Sequence, residues 1–145
     1  MQLIEITDAR GQLAEPLWLA KAEFVHRQLR PQLCADYAAH MQRVFADGAR
    51  MVVAARDGAV QGVAVWRSYE NTCDGRHLYV DDLVTDEAAR STGVGNALLV
   101  WLTVRARELG CEALKLDSGT QRVDAHRFYL RERFLITAFH FKKNL

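Results

Sequence analysis

The segment Arg90-Ser91-Thr92-Gly93-Val94-Gly95-Asn96-Ala97-Leu98-Leu99 places two glycines, two apart, where an amphipathic helical pattern begins. Glycines at such a junction let successive backbone N–H groups converge with no Cβ in the way, and the helix dipole adds positive potential. The result is an anion site suited to phosphate, with Arg90 at its entrance as a charge-assisted donor. A plain strand-to-helix turn, in which the glycines only shape the backbone, is the alternative reading of the loop by itself. No Gly-Lys-Ser or Gly-Lys-Thr occurs, which removes a Walker loop and nucleoside triphosphate hydrolysis. A dinucleotide fingerprint fits poorly: Gly93, Gly95 and a later Asp117 match loosely, but Leu98 stands where the third glycine belongs.

The elements that must position this loop follow from hydrophobic period. Leu3–Ile6 reads as a strand. Leu13, Leu17, Ala20, Phe24, Val25 and Leu29 then recur at helical spacing until Pro31, and Leu33, Tyr37, Met41, Val44 and Phe45 mark a second helix. Met51–Ala55 and Val60–Trp66 are β-rich runs joined by Arg56-Asp57-Gly58, a strong hairpin signal, and His77–Thr85 is a third run. These three predict an antiparallel meander. Strict alternation along the third run puts His77, Tyr79, Asp81 and Leu83 on one face and Asp82 on the other. Helical period returns from Gly93 to Leu109-Gly110. Ala113–Asp117 follows as a strand, Val123–Arg131 as a helix, and Leu135–Lys142 as a closing strand. The fold class is α+β, in the order βααβββαβαβ, as one domain across residues 1–145.

Composition narrows the function classes. Lysines and arginines number 19 against 18 acidic residues, a net charge of +1, which argues against broad nucleic-acid binding. No run approaches the length of a membrane span and no secretory leader pattern is present, so the expected location is the cytoplasm. Cys34, Cys73 and Cys111 are odd in number and far apart, with no zinc-ligand spacing. They read as reduced, mostly buried thiols, and no metal is expected.

Arg90 to Gly95, as R-x-x-G-x-G after a strand ending Asp82-Leu83-Val84-Thr85, resembles the acetyl-CoA loop of the GNAT N-acetyltransferases. Asp124-Ala125-His126-Arg127-Phe128-Tyr129-Leu130-Arg131-Glu132-Arg133-Phe134 is similar to that superfamily's A-x-x-x-Y-x-x-x-G-F helix, and Phe139–Lys143 resembles its last strand. Element order agrees over essentially the whole chain. The resemblance implies a mixed, mostly antiparallel sheet with helices on both faces, acetyl-CoA as cosubstrate and acetyl transfer to a primary amine. Two positions depart from the pattern. Arg133 replaces the usual glycine, so its turn is expected to be built differently, and Arg122 replaces an asparagine.

By the same resemblance, the amides of Ser91, Thr92, Gly93, Val94, Gly95 and Asn96 hold the pyrophosphate with Arg90. The pantetheine pairs with the strand edge at Leu83, Val84 and Thr85, where the sheet splays, often at a bulge. Phe128, Tyr129 and Arg131 complete the cofactor set. A backbone N–H near Val84 or Thr85 is the oxyanion donor, and Tyr129 is the general acid that protonates the leaving thiolate. Asp117 and Asp82 are the candidates for the base or for contact with the amine, and Asp81 and Glu70 add negative charge nearby. The acceptor is expected to be a small molecule rather than a protein. Trp66 and Tyr69 could wall its pocket, with Trp66 reading equally well as core. Members often dimerise, so a homodimer is among the expectations. The alternative reading is a non-catalytic acyl-CoA-binding sensor of the same fold.

Overall fold

A computed structural model describes all residues, Met1–Leu145. The chain forms two compact units, Met1–Lys115 and Leu116–Leu145.

The first unit is built on a sheet in the order β1-β2-β3-β4-β5. Its strands are β1 (Gln2–Glu5), β2 (Arg50–Arg56), β3 (Ala59–Asn71), β4 (Gly75–Thr85) and β5 (Ala113–Leu116), and β1 to β4 pair antiparallel. The β2–β3 hairpin turns through Asp57 at φ 52° and Gly58 at φ 77°, the left-handed pair that a two-residue turn requires. The β3–β4 ladder runs on through Glu70↔Arg76 and Asn71↔Gly75, so the polar stretch after Tyr69 is strand and turn rather than a loop.

Helices α1 (Pro16–Leu29) and α2 (Tyr37–Ala46) cover one face. Pro16 sits in the first turn of α1, where its missing N–H costs nothing. Asp36 caps α2 by accepting from the Ala39 N–H. Leu19, Val25, Tyr37, Met41 and Phe45 from these helices meet Met51, Val53, Val63, Val65 and Val84 of the sheet in one core. Residues of β3 with the opposite parity face α3 (Val94–Glu108): the Trp66 and Trp101 rings meet edge to face at 6.1 Å. Trp66 is therefore core, not a pocket wall; its ring is buried against that helix.

Along β4 the predicted alternation fails at one point. Trp66 pairs with Val80 but Val65 pairs with Asp82, which makes Asp81 the extra residue of a β-bulge. Beyond it the parity is reset. His77, Tyr79, Asp82 and Val84 pair with Tyr69, Arg67, Val65 and Val63 on the α1–α2 face, whereas Leu83 pairs with Ala64 on the α3 face. Asp82 thus shares a face with His77 and Tyr79, contrary to strict alternation.

The second unit contains α4 (Val123–Arg131). No strand forms over Leu135–Lys142, so the observed order is βααβββαβα. That segment is apolar and strand-like in pattern, but a strand needs a neighbouring edge to pair with, and the other regular element of its unit is a helix. Leu135, Ile136, Phe139 and Phe141 are exposed. The cysteines are free, as expected, but Cys34 and Cys73 are exposed and Cys111 is half-buried, so the expectation of buried thiols is not met.

Candidate active site

Two segments of the first unit carry the anion-site geometry. A 3-10 turn, Glu87–Ala89, leads from β4 into the loop, and Gln28 of α1 clamps it: its Oε1 accepts from the Glu87 N–H at 2.9 Å and its Nε2 donates to Asp86 Oδ1 at 3.2 Å. Thr92 Oγ1 then donates to the Ala89 carbonyl at 2.7 Å, which folds the loop back on itself. Ser91 at φ 62° and Gly93 at φ 89° are both left-handed. Alternating handedness of this kind turns consecutive N–H groups inward as an anion-binding concavity.

Gly93 is the N-cap residue of α3 and supplies no side-chain cap, and the first helical bond is donated by Ala97 to its carbonyl at 2.9 Å. The N-cap residue of α3 therefore puts no side chain over the helix start. Arg90 is exposed, with one long contact to Glu87 at 3.4 Å. The role of Ser91 in shaping the loop was hidden from sequence reasoning, which assigned the special backbone to glycine.

A second glycine fixes where that helix starts. A Cβ on Gly62 of β3 would lie 2.6 Å from Val94 Cγ1, 2.9 Å from Leu98 Cδ1 and 3.2 Å from the Val84 carbonyl oxygen. The first turn of α3 thus presses directly on the sheet beside Val84. This puts the amide-lined loop at the end of β4 that carries Leu83, Val84 and Thr85. Strand β5 begins near the other end of β4, where the Glu112 N–H donates to the Arg76 carbonyl at 2.8 Å. Its four residues span about 13 Å and cannot cover β4 as far as Leu83–Thr85. An open strand edge therefore leads away from the loop.

Upstream on that edge lies the bulge. Asp82 Oδ1 accepts from Arg30 Nε at 2.6 Å, and Oδ2 meets His26 Nε2 at 2.9 Å. The other His26 nitrogen, Nδ1, is 2.9 Å from the Tyr37 hydroxyl. Burial alone would raise the Asp82 carboxyl, but the His26 hydrogen bond and the charges of His26 and Arg30 outweigh it and hold it below the usual carboxylate value. Burial pushes the Tyr37 phenol well above its ordinary value. Asp81 Oδ2 accepts from Arg67 Nε at 2.8 Å. His26 was not singled out from the sequence, where it reads as one polar residue on an apolar helix.

His77 is fully buried on the same face, with Nδ1–H donating to the Gly75 carbonyl at 3.1 Å and its ring 4.2 Å from that of the exposed Tyr69. Nε2 of His77 has no partner.

The second unit holds the remaining candidates. Tyr129 lies on α4 between Phe128 at 5.4 Å and Phe134 at 5.8 Å, ring centre to ring centre. Burial raises its phenol above the usual value, with Arg122 partly opposing. Arg131 stacks on Phe128 at 5.5 Å. Asp117 is not bare: its Oδ2 is 2.7 Å from His140 Nδ1. Arg133 adopts φ 67°, so the turn after α4 keeps the left-handed form expected of glycine, with arginine bearing the strain; it is not built differently. The Phe134 N–H closes that turn on the Tyr129 carbonyl at 2.9 Å.

A cleft of about 250 Å³ lined by Trp18, Arg56 and Gly58 contains none of the candidate residues. No group of three or more His, Cys, Asp or Glu side chains gathers as metal ligands would, and no helix is long and apolar enough to cross a membrane.

The model of the acetyltransferase (GNAT) family matches residues 14–134. The chain belongs to the GNAT acetyltransferase family. It is 35% identical over 115 residues to an uncharacterized N-acetyltransferase, YhdJ, of Bacillus subtilis, covering 79% of this chain and 75% of that one. An aminoalkylphosphonate N-acetyltransferase of Salmonella typhimurium is 39% identical over 66 residues, 46% of this chain and 43% of its own. Among solved structures, an aminoglycoside N-acetyltransferase in complex with CoA superposes with a TM-score of 0.83 at 17% identity, over 99% of this chain and 93% of the other. A ribosomal-protein-alanine N-acetyltransferase from Brucella melitensis superposes with a TM-score of 0.81 at 14% identity, over the full length of both. At these identities the structural likeness shows the GNAT fold alone. The chain is an N-acetyltransferase by family.

Proposed function

We propose that this GNAT enzyme moves the acetyl group of acetyl-CoA to a primary amine on a small molecule, by direct attack within a ternary complex. The observation that carries the reading is the start of α3: a glycine N-cap with no side chain over the helix end, behind a loop left-handed at Ser91 and Gly93, pressed against the sheet beside the open edge of β4. The amides of Ser91–Asn96 and the Arg90 guanidinium take the pyrophosphate. Leu83, Val84 and Thr85 pair with the pantetheine amides, and Phe128, Tyr129 and Arg131 contact the rest of the cofactor. One domain spanning residues 1–145 does this work.

The transfer needs a neutral amine, a stabilised oxyanion and a protonated sulfur. An N–H at Val84 or Thr85 serves the oxyanion. Tyr129 serves as the acid: its raised pKa keeps the phenol protonated at neutral pH, ready to donate to the departing thiolate. Asp82, held below the usual carboxylate value, is a weak base, and its charge is taken up by Arg30 and His26 rather than offered to the amine. Asp117, joined to His140, is the better candidate to take the ammonium proton. No step calls for a metal. We place the reaction in the cytoplasm, and the exposed apolar residues from Leu135 to Phe141 support a homodimer.

CoA release from acetyl-CoA, followed with a thiol reagent across a panel of small amines, tests the reading. Turnover on at least one amine is expected, and cofactor binding without turnover on any acceptor overturns it.

A further inference from the structure

Negative charge at the β4 bulge would draw an amine, but it is already spent. Asp82 is shared between Arg30 and His26, and Asp81 is paired with Arg67. Two carboxylates face two guanidinium groups, so no anionic surplus is left for an ammonium. Arg67 also commits Nη1 to the Asp47 carbonyl at 3.2 Å. Arg30 differs. It donates from Nε to Asp82 and from Nη2 to the Asp81 carbonyl at 3.1 Å, which leaves Nη1 without a protein partner on a side chain 42% exposed.

A guanidinium held from behind by two fixed acceptors, with a free edge, is preorganised for a bound oxyanion. Its place matters too. With the pyrophosphate at the Arg90–Asn96 loop and the pantetheine along Thr85, Val84 and Leu83, the acyl end of the cofactor points back along β4 toward Asp82, Asp81 and Arg30.

We propose that Arg30 is a specificity-determining residue and that the acceptor is a small primary amine bearing an oxyanion, a phosphonate or a carboxylate, which Arg30 holds while the amine meets the thioester. This rests on the acetyltransferase reading above.

The test compares aminoethylphosphonate, β-alanine and propylamine as acceptors for the purified protein with acetyl-CoA. At least one of the two acids is expected to exceed propylamine in kcat/KM by about tenfold or more, the scale of one charge-assisted pair. The better of the two identifies the oxyanion. Arg30→Gln should bring the ratio of acid to propylamine toward one, mainly through KM, and Arg30→Lys should keep part of it because the charge stays. A CoA-induced rise in Tm in each variant shows that it is folded. Propylamine turned over as well as both acids, or a preference that survives Arg30→Gln, overturns the proposal while leaving acetyl transfer standing. Absence of turnover on every amine instead removes acetyl transfer, and this inference with it.

Discussion

His26 Nε2 and Asp82 Oδ2 meet at 2.9 Å between α1 and the β4 bulge, with the imidazole fully enclosed and the Tyr37 hydroxyl on its other nitrogen. Removing one member of such a network leaves the others buried and under-satisfied, and that loss exceeds what the hydrogen bond itself contributes. His26→Ala should therefore destabilise the protein by about 2–3 kcal/mol, read by urea titration. A change below about 0.5 kcal/mol would show that the network contributes nothing to stability.

The same network gives stability a defined pH dependence. The Asp82 carboxyl lies lower in the folded protein than the roughly 3.9 of an unfolded aspartate. Its stabilising contribution is complete above that unfolded value and is lost as pH falls through the lower folded one. Tm measured from pH 5 downward should fall less steeply in Asp82→Asn than in the wild-type protein. Parallel curves would remove Asp82 as a source of acid lability.

Tyr129→Phe keeps the ring that packs between Phe128 and Phe134 and deletes the proton. We expect kcat to fall by about a hundredfold with little change in acetyl-CoA affinity. Undiminished turnover on the best acceptor would dismiss Tyr129 as the acid.

Gly62→Ala tests the seat of α3. The added methyl cannot fit between β3 and Val94, so the first turn of α3 must shift. A loss of about 1–3 kcal/mol is expected, together with a smaller CoA-induced rise in Tm than in wild type. A normal response to CoA would mean that the loop tolerates movement of its helix.

Arg133→Gly should do the opposite and stabilise the protein. Arginine at φ 67° carries a cost of about 1 kcal/mol that glycine avoids. The readout is a higher Tm, and a fall would show that the Arg133 side chain makes compensating contacts.

What could be read from the sequence was whatever is encoded locally. The Asp57-Gly58 turn and the extent of α4 follow from residues within one or two turns of each other, whereas the face of α1 does not: Leu17, Ala20 and Phe24, read as apolar and inward, are exposed, and Leu19, Ala22, Val25 and His26 are the buried side. Arg90 to Gly95 was legible because backbone conformation and residue type coincide at Gly93. What stayed hidden depends on partners distant in the chain. Asp82 looked like an available base because Arg30 and His26 lie more than fifty residues upstream. The Asp81 bulge arises from β3–β4 register, which no single strand reveals. Leu135–Lys142 has the composition of a strand, but composition cannot supply the edge it would need.

The bulge gives β4 two reading frames. Residues before Asp81 and residues after it point to a given layer with opposite parity, so His77 and Tyr79 are governed by one phase and Leu83 and Thr85 by the other. Deleting Asp81 would merge the phases and rotate either the residues before the bulge or those after it into the wrong layer. Kept in place, it uncouples them: side chains before the bulge can change without altering the layer faced by the residues after it, the stretch proposed to carry coenzyme A.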